Sequence, residues 1–143
     1  ITTMASPIRA SEQLEHALLR SFEHASQPAF AKGVEVKFGA DDQLLAAAGT
    51  GDVLAIGITY KANVAGRPAH VILYGHAVVP VIVGTGGATR GVCAKGVADG
   101  FTDAATNGGG TTSQIIKGQF LQTGVAADVV EMMIGVNPRS VTT

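Results

Sequence analysis

The chain has 143 residues, of which only 15% are charged, and its 10 lysines and arginines nearly balance 11 aspartates and glutamates. This balance provides no basic surface for nucleic acid or an anionic membrane, and the longest apolar run, residues 77–83, is far shorter than the roughly 20 residues of a membrane helix. With 46% hydrophobic residues the chain is expected to fold, and the low charge predicts that subunit contacts cover much of its surface.

The N-terminal segment has a helical pattern. Leu14, Leu18 and Phe22 are spaced four residues apart, which places them on one face of an α-helix over residues 11–25. The sequence therefore predicts one amphipathic helix preceded by an extended N-terminal arm, and the two together cover residues 1–30.

A period of two replaces the helical period over residues 31–137. Val34, Val36 and Phe38 alternate with charged residues, the pattern of a strand with one buried face. Pro80 cannot donate a backbone hydrogen bond, so its strand is expected at a sheet edge or at a bulge. Short strands separated by turn residues predict a mostly β fold, a small antiparallel β-barrel or sandwich. The predicted strands cover residues 34–38, 53–60, 69–74, 77–83, 92–98, 115–121 and 129–136.

Two stretches lack a strand pattern. Residues 99–113 contain three consecutive glycines at 108–110 and are predicted to form a long loop. Residues 138–143 are predicted to form a loose tail after the β-rich domain.

Motifs for nucleotide binding and nucleophilic catalysis are missing from the sequence. Gly86 and Gly91 have the spacing of the two glycines in a phosphate-binding loop. The next residue is Val92, however, where that motif requires a lysine. No serine lies in the glycine-flanked elbow of a hydrolase. The chain is therefore predicted not to be an enzyme and to need no cofactor.

Histidines and aspartates leave two alternatives open. His70 and His76 are interpreted as surface or loop residues, although a ligand site at a barrel mouth would also use them. Asp99 and Asp103 could hold a hard cation in a loop. Turn formation explains these aspartates more simply, so no metal site is predicted.

One stretch resembles a known family. Residues 51–75, GDVLAIGITYKANVAGRPAHVILYG, resemble the capsid cement (head decoration) proteins of tailed phages. In that family a strand that ends in I-G-[IV] is followed by an A-G loop and then by a strand that ends at a glycine. Related glycine and valine patterns recur over residues 92–98 and 118–135, so the resemblance covers roughly residues 33–136.

The resemblance implies a structural virion protein. Such a protein is made in the host cytoplasm and lies on the outer capsid surface, where it stabilises contacts between major capsid subunits. The expected partners are the major capsid protein and further copies of the chain, with a homotrimer favoured over a dimer. The candidate contact residues lie in the arm, the helix and the long loop: Ile8, Arg9, Leu14, Leu18, Phe22, Phe101 and Thr102.

Two other functions stay open at this point. Low charge and high β content are also typical of other virion components, such as tail or fibre proteins. A small β-barrel that binds a ligand near His70 and His76 is the remaining alternative, and it requires a concave pocket with convergent polar groups.

Overall fold

The structure is a computed structural model that describes residues 17–50, 52, 54–104, 113–135 and 140–142. All regular elements in these ranges are strands, and none is a helix. The predicted mostly β fold is therefore confirmed.

Twelve strands are present in the described ranges. They are β1 (Leu18–Phe22), β2 (Glu35–Phe38), β3 (Leu45–Ala47), β4 (Ala55–Lys61), β5 (Ala69–Leu73), β6 (Ala77–Ile82), β7 (Cys93–Val97), β8 (Gly100–Asp103), β9 (Ser113–Ile115), β10 (Gly118–Phe120), β11 (Val129–Ile134) and β12 (Ser140–Thr142).

These strands form two five-stranded antiparallel sheets and one two-stranded sheet. The first sheet has the order β1-β5-β4-β2-β3, and the second has the order β6-β11-β10-β7-β8. Strands β9 and β12 pair separately. The two large sheets do not close into one barrel, although an isolated bridge between Val83 and Phe101 brings the ends of the second sheet together. The strand that contains Pro80 lies at an edge of the second sheet, as its sequence predicts.

The hydrophobic core has two parts. The larger cluster lies where the sheets meet and contains Ile58 and Ile72 of the first sheet against Val79, Val81 and other residues of the second. A smaller cluster covers the opposite face of the first sheet. Its buried residues are Phe22, Phe30, Val36, Leu45, Ala69 and Val71.

The predicted N-terminal helix is wrong where the structure describes it. Residues Leu18–Phe22 form β1, which pairs antiparallel with β5, whereas residues 1–16 lie outside the described residues. A spacing of four fits a strand as well as a helix, because four is a multiple of the strand period of two. Pairing with β5 and burial of Phe22 in the smaller cluster favour the strand.

Strand β2 is buried on the face that its pattern predicts to be exposed. Val36 is fully buried, but Phe38 is 61% exposed and Glu35 is only 4% exposed. The second sheet covers Glu35, since the carboxylate of Glu35 lies directly against Gly96 of β7. A pattern within one strand cannot show that a second layer covers its other face.

Three further segments differ from the sequence prediction. The start of the predicted loop is strand β8, in which Phe101 belongs to the core. The predicted strand over residues 115–121 is divided into β9 and β10. Part of the predicted tail is strand β12, since pairing with β9 satisfies its backbone groups.

Candidate functional site

The group of ionisable side chains that is most buried lies between the two sheets and consists of Glu35, Tyr74 and Lys117. Glu35 belongs to β2, Tyr74 directly follows β5, and Lys117 directly precedes β10. We call this group the inter-sheet cluster. It joins residues that are far apart in sequence, so no local motif predicts it.

Lys117 is the centre of the inter-sheet cluster. Its Nζ lies 3.1 Å from Oε2 of Glu35 and donates a hydrogen bond of 2.6 Å to the backbone carbonyl of Asp52. The same nitrogen lies 5.6 Å from the centroid of the Tyr74 ring, within the range of a cation–π contact. The ammonium is therefore held by an anion, a carbonyl and an aromatic face.

Glu35 is held by the hydroxyl of Tyr74 and by Lys117, both through Oε2. Tyr74 donates its hydroxyl hydrogen bond to that atom, whereas Oε1 has no hydrogen-bond partner among the described residues. Burial raises the pKa of Glu35, and the contacts with Tyr74 and Lys117 oppose this rise. Burial and the nearby carboxylate also raise the pKa of Tyr74 well above its ordinary value.

A glycine makes room for the buried carboxylate. A Cβ atom at Gly96 of β7 would overlap Oε1 of Glu35. The second sheet can approach Glu35 closely only because this position has no side chain.

A small cavity adjoins the inter-sheet cluster. It has a volume of about 150 Å³ and is lined by Tyr74, Gly75, Ile116, Lys117 and Gly135. Ligand pockets for drug-sized molecules usually measure about 300–1,000 Å³. The cavity therefore suits water or a molecule of a few atoms rather than a sugar or a nucleotide.

The two histidines of the alternative ligand site serve separate local contacts. Nδ1 of His70 is 2.9 Å from Oγ of Ser21 on β1. Nε2 of His76 donates a hydrogen bond of 2.9 Å to the carbonyl of Gly135. Desolvation and the charge of Lys61 lower the pKa of His70. Neither ring lines the cavity beside Lys117.

Asp99 lies in the turn between β7 and β8, and Asp103 is the last residue of β8. Both carboxylates bind threonines of the segment that follows β6. Asp99 accepts hydrogen bonds from the backbone and hydroxyl of Thr85, and these contacts lower its pKa. Asp103 accepts the equivalent pair from Thr89. Within the part of the chain that the structure describes, no three histidine, cysteine or acidic side chains come together as a metal site.

The candidate contact residues are divided between surface and core. Leu18 is 62% exposed, whereas Phe22, Phe101 and Thr102 are buried. The hydroxyl of Thr102 donates to the carbonyl of Gly87 at 2.7 Å, so it serves the interior of the second sheet. Ile8, Arg9 and Leu14 lie outside the described residues.

Exposed apolar side chains concentrate on the first sheet and its loops. Leu18 and its neighbour Leu19, which is 47% exposed, lie on the edge strand β1. Leu18 is paired across the strands with Leu73 of β5. Other exposed large hydrophobic residues are Phe38, Leu54, Val64, Val125 and Val129.

Comparison with known proteins adds no assignment. No protein-family model matches the chain, and no curated protein matches it significantly. Among the described residues, no helix is both long and apolar enough to span a membrane.

Proposed function

We propose that this chain is a structural virion protein that binds the outer surface of a tailed-phage capsid and stabilises the contacts between major capsid subunits. The proposal starts from the resemblance of residues 51–75 to the cement proteins. This stretch includes all of β4, the loop that follows it and β5.

The observation that supports the proposal most is the apolar edge of the first sheet. Strand β1 pairs with β5 on one side and has no second neighbour among the described strands. It presents Leu18 and Leu19 to the outside, one on each face of the strand. An exposed apolar edge strand is a template on which an extended segment of another protein can add a strand.

Arg20 makes this edge selective for a partner segment that contains an acidic residue. Its guanidinium lies 5.1 Å from the centroid of the Phe22 ring, and no carboxylate of the described residues pairs with it. A second β1 strand centred on this position would bring two arginines together. An extended capsid segment with apolar residues and one acidic residue fits the edge better.

The buried polar side chains of the described residues support a structural function. The Gln27 side chain, which is 1% exposed, joins β1 to β3 by bonds to the backbone of Phe22 and Leu45. The Thr59 hydroxyl donates to the carbonyl of Ala31 at 2.6 Å. Side chains used in this way hold the first sheet and its adjoining segments together and leave few groups for catalysis.

Co-sedimentation with capsid shells tests the proposal. Expanded shells without decoration are mixed with the chain, and the bound amount and the disassembly temperature are measured. Saturable binding with a raised disassembly temperature is expected. The variant L18D/L19D should bind shells at least about tenfold more weakly, since it places charges in a desolvated contact.

Val64→Asp is the matched control. Val64 is 71% exposed and lies in the loop before β5, beyond the Phe22 end of β1 and not beside Leu18, which pairs with the far end of β5. This variant should bind shells like the wild type. Absence of shell binding, or equal loss in both variants, would reject the β1 edge as the contact. Binding to tails or fibres instead of shells would favour the other class of virion protein.

A further inference from the structure

Strand β1 presents a row of exposed side chains of different chemistry along the edge of the first sheet. Its last residue, Phe22, is buried. The other residues of the strand are all exposed: Leu18, Leu19, Arg20 and Ser21. An added strand places one residue opposite each residue of the edge. The order of these side chains therefore specifies the order of residues in a segment that binds there.

The pairing with β5 shows on which face of the sheet each of these side chains lies. Leu18 is opposite Leu73, and Leu73 packs against the smaller core cluster on the outer face of the first sheet. Leu19 is opposite Ile72, which belongs to the larger cluster between the sheets. Because side chains alternate along a strand, Arg20 shares the outer face with Leu18.

Arg20 places a positive charge on the outer face beside this edge. Its guanidinium lies 5.1 Å from the centroid of the Phe22 ring. That ring in turn meets the ring of Phe38 edge-on, with 6.2 Å between the centroids. The guanidinium therefore rests on an aromatic surface next to the strand. No carboxylate of the described residues forms an ion pair with it, so an acidic residue of a bound segment can do so.

These positions together specify a short sequence. All strand pairs among the described residues are antiparallel. A segment added in the same way runs opposite to β1, so its successive residues face Ser21, Arg20, Leu19 and Leu18. We propose that the β1 edge binds an extended segment with the order polar, acidic, apolar, apolar, in which the acidic residue pairs with Arg20. The inference rests on the proposed function, since it names the kind of capsid segment that this edge recognises.

Titration of the isotope-labelled chain with hairpin peptides, followed by NMR, tests the inference. The probe is a cyclic β-hairpin whose free strand contains Ser-Asp-Val-Val, because a preformed strand loses less entropy on binding. It is expected to shift the amide signals of residues 18–21 in a saturable way. A hairpin with Ser-Lys-Val-Val should bind at least about fivefold more weakly. A hairpin with Ser-Val-Asp-Val should also bind more weakly, because it places the acidic residue opposite Leu19.

A charge swap distinguishes pairing with Arg20 from a general effect of charge. R20E should bind the Asp hairpin at least about fivefold more weakly than the wild type does, and should bind the Lys hairpin more tightly. R90E reverses an exposed arginine in the segment before β7. It is the matched control and should leave the preference unchanged. Urea unfolding confirms that each variant is folded.

Several outcomes would overturn the inference. They are the absence of a saturable shift with the Asp hairpin, equal affinity for the Asp and Lys hairpins, and a preference that R20E fails to reverse. Concentration-dependent shifts of the β1 amides without peptide would show that a second copy occupies the edge, and would also overturn it. A chain that binds shells without this peptide preference would contradict the inference alone. A chain that prefers the Asp hairpin but ignores shells would contradict the proposed function alone.

Discussion

Nζ of Lys117 lies 3.1 Å from Oε2 of Glu35, and this ion pair joins the segment before β10 to strand β2. The pair is buried, with side-chain exposures of 7% and 2%. It therefore connects the second sheet to the first in the interior between them.

Replacing Lys117 by methionine is expected to destabilise the fold strongly. The variant K117M leaves the Glu35 carboxylate buried without its cation, and breaking a buried pair in this way costs about 3–5 kcal/mol. The double variant E35L/K117M removes both charges and should cost much less. Urea unfolding measures the free energies, and equal losses in the two variants would contradict this account.

The raised pKa of Glu35 predicts a pH dependence of stability. Burial raises this pKa above 4.5, so the folded state binds the proton more tightly than the unfolded state does. The contribution is present below pH 4.5 and is lost as the pH rises through the folded value. E35Q should lack this decline. A wild type and an E35Q variant with parallel pH profiles of unfolding would contradict it.

Asp52 predicts the opposite dependence at acid pH. Hydrogen bonds from the backbone of Leu54, together with the contact to Lys37, lower its pKa from 3.8 to about 2. Its contribution is present above pH 3.8 and is lost as the pH falls towards 2. The stability difference between the wild type and D52N should therefore shrink over that interval. A constant difference, measured by thermal unfolding at each pH, would reject this prediction.

Gln27 is expected to be one of the most sensitive polar residues. Its amide nitrogen donates to the carbonyls of Phe22 and Gln43, and its oxygen accepts from the backbone of Leu45. Q27M keeps the length of the side chain but leaves these backbone groups unpaired, at a cost of about 3 kcal/mol. A loss below about 1 kcal/mol in urea unfolding would show that water replaces the missing bonds.

The sequence predicts most strands but not the layers around them. Strands β4, β5, β6 and β11 lie close to their predicted positions, because each is a β-branched run bounded by turn residues. Strand β1 was not predicted, because the spacing of Leu18 and Phe22 fits both a helix and a strand. Its partner β5 is about 50 residues away, and only that pairing decides between the two structures.

The inter-sheet cluster could not be predicted for a related reason. Glu35 alternates with apolar residues and therefore has the pattern of a solvent-facing residue, as does Lys37 in the same strand. Its burial depends on Gly96 and Lys117, which reach it only after the second sheet packs on the first. The absence of nucleotide and hydrolase motifs needs no tertiary information and can be read from the sequence directly.

The most direct test of the central proposal is the binding of the purified chain to undecorated, expanded capsid shells. Titration with co-sedimentation gives the stoichiometry, and light scattering during heating gives the disassembly temperature. The account predicts saturable binding, a higher disassembly temperature, and loss of both effects in L18D/L19D but not in V64D. A folded chain that leaves shells unbound and their disassembly temperature unchanged would contradict it.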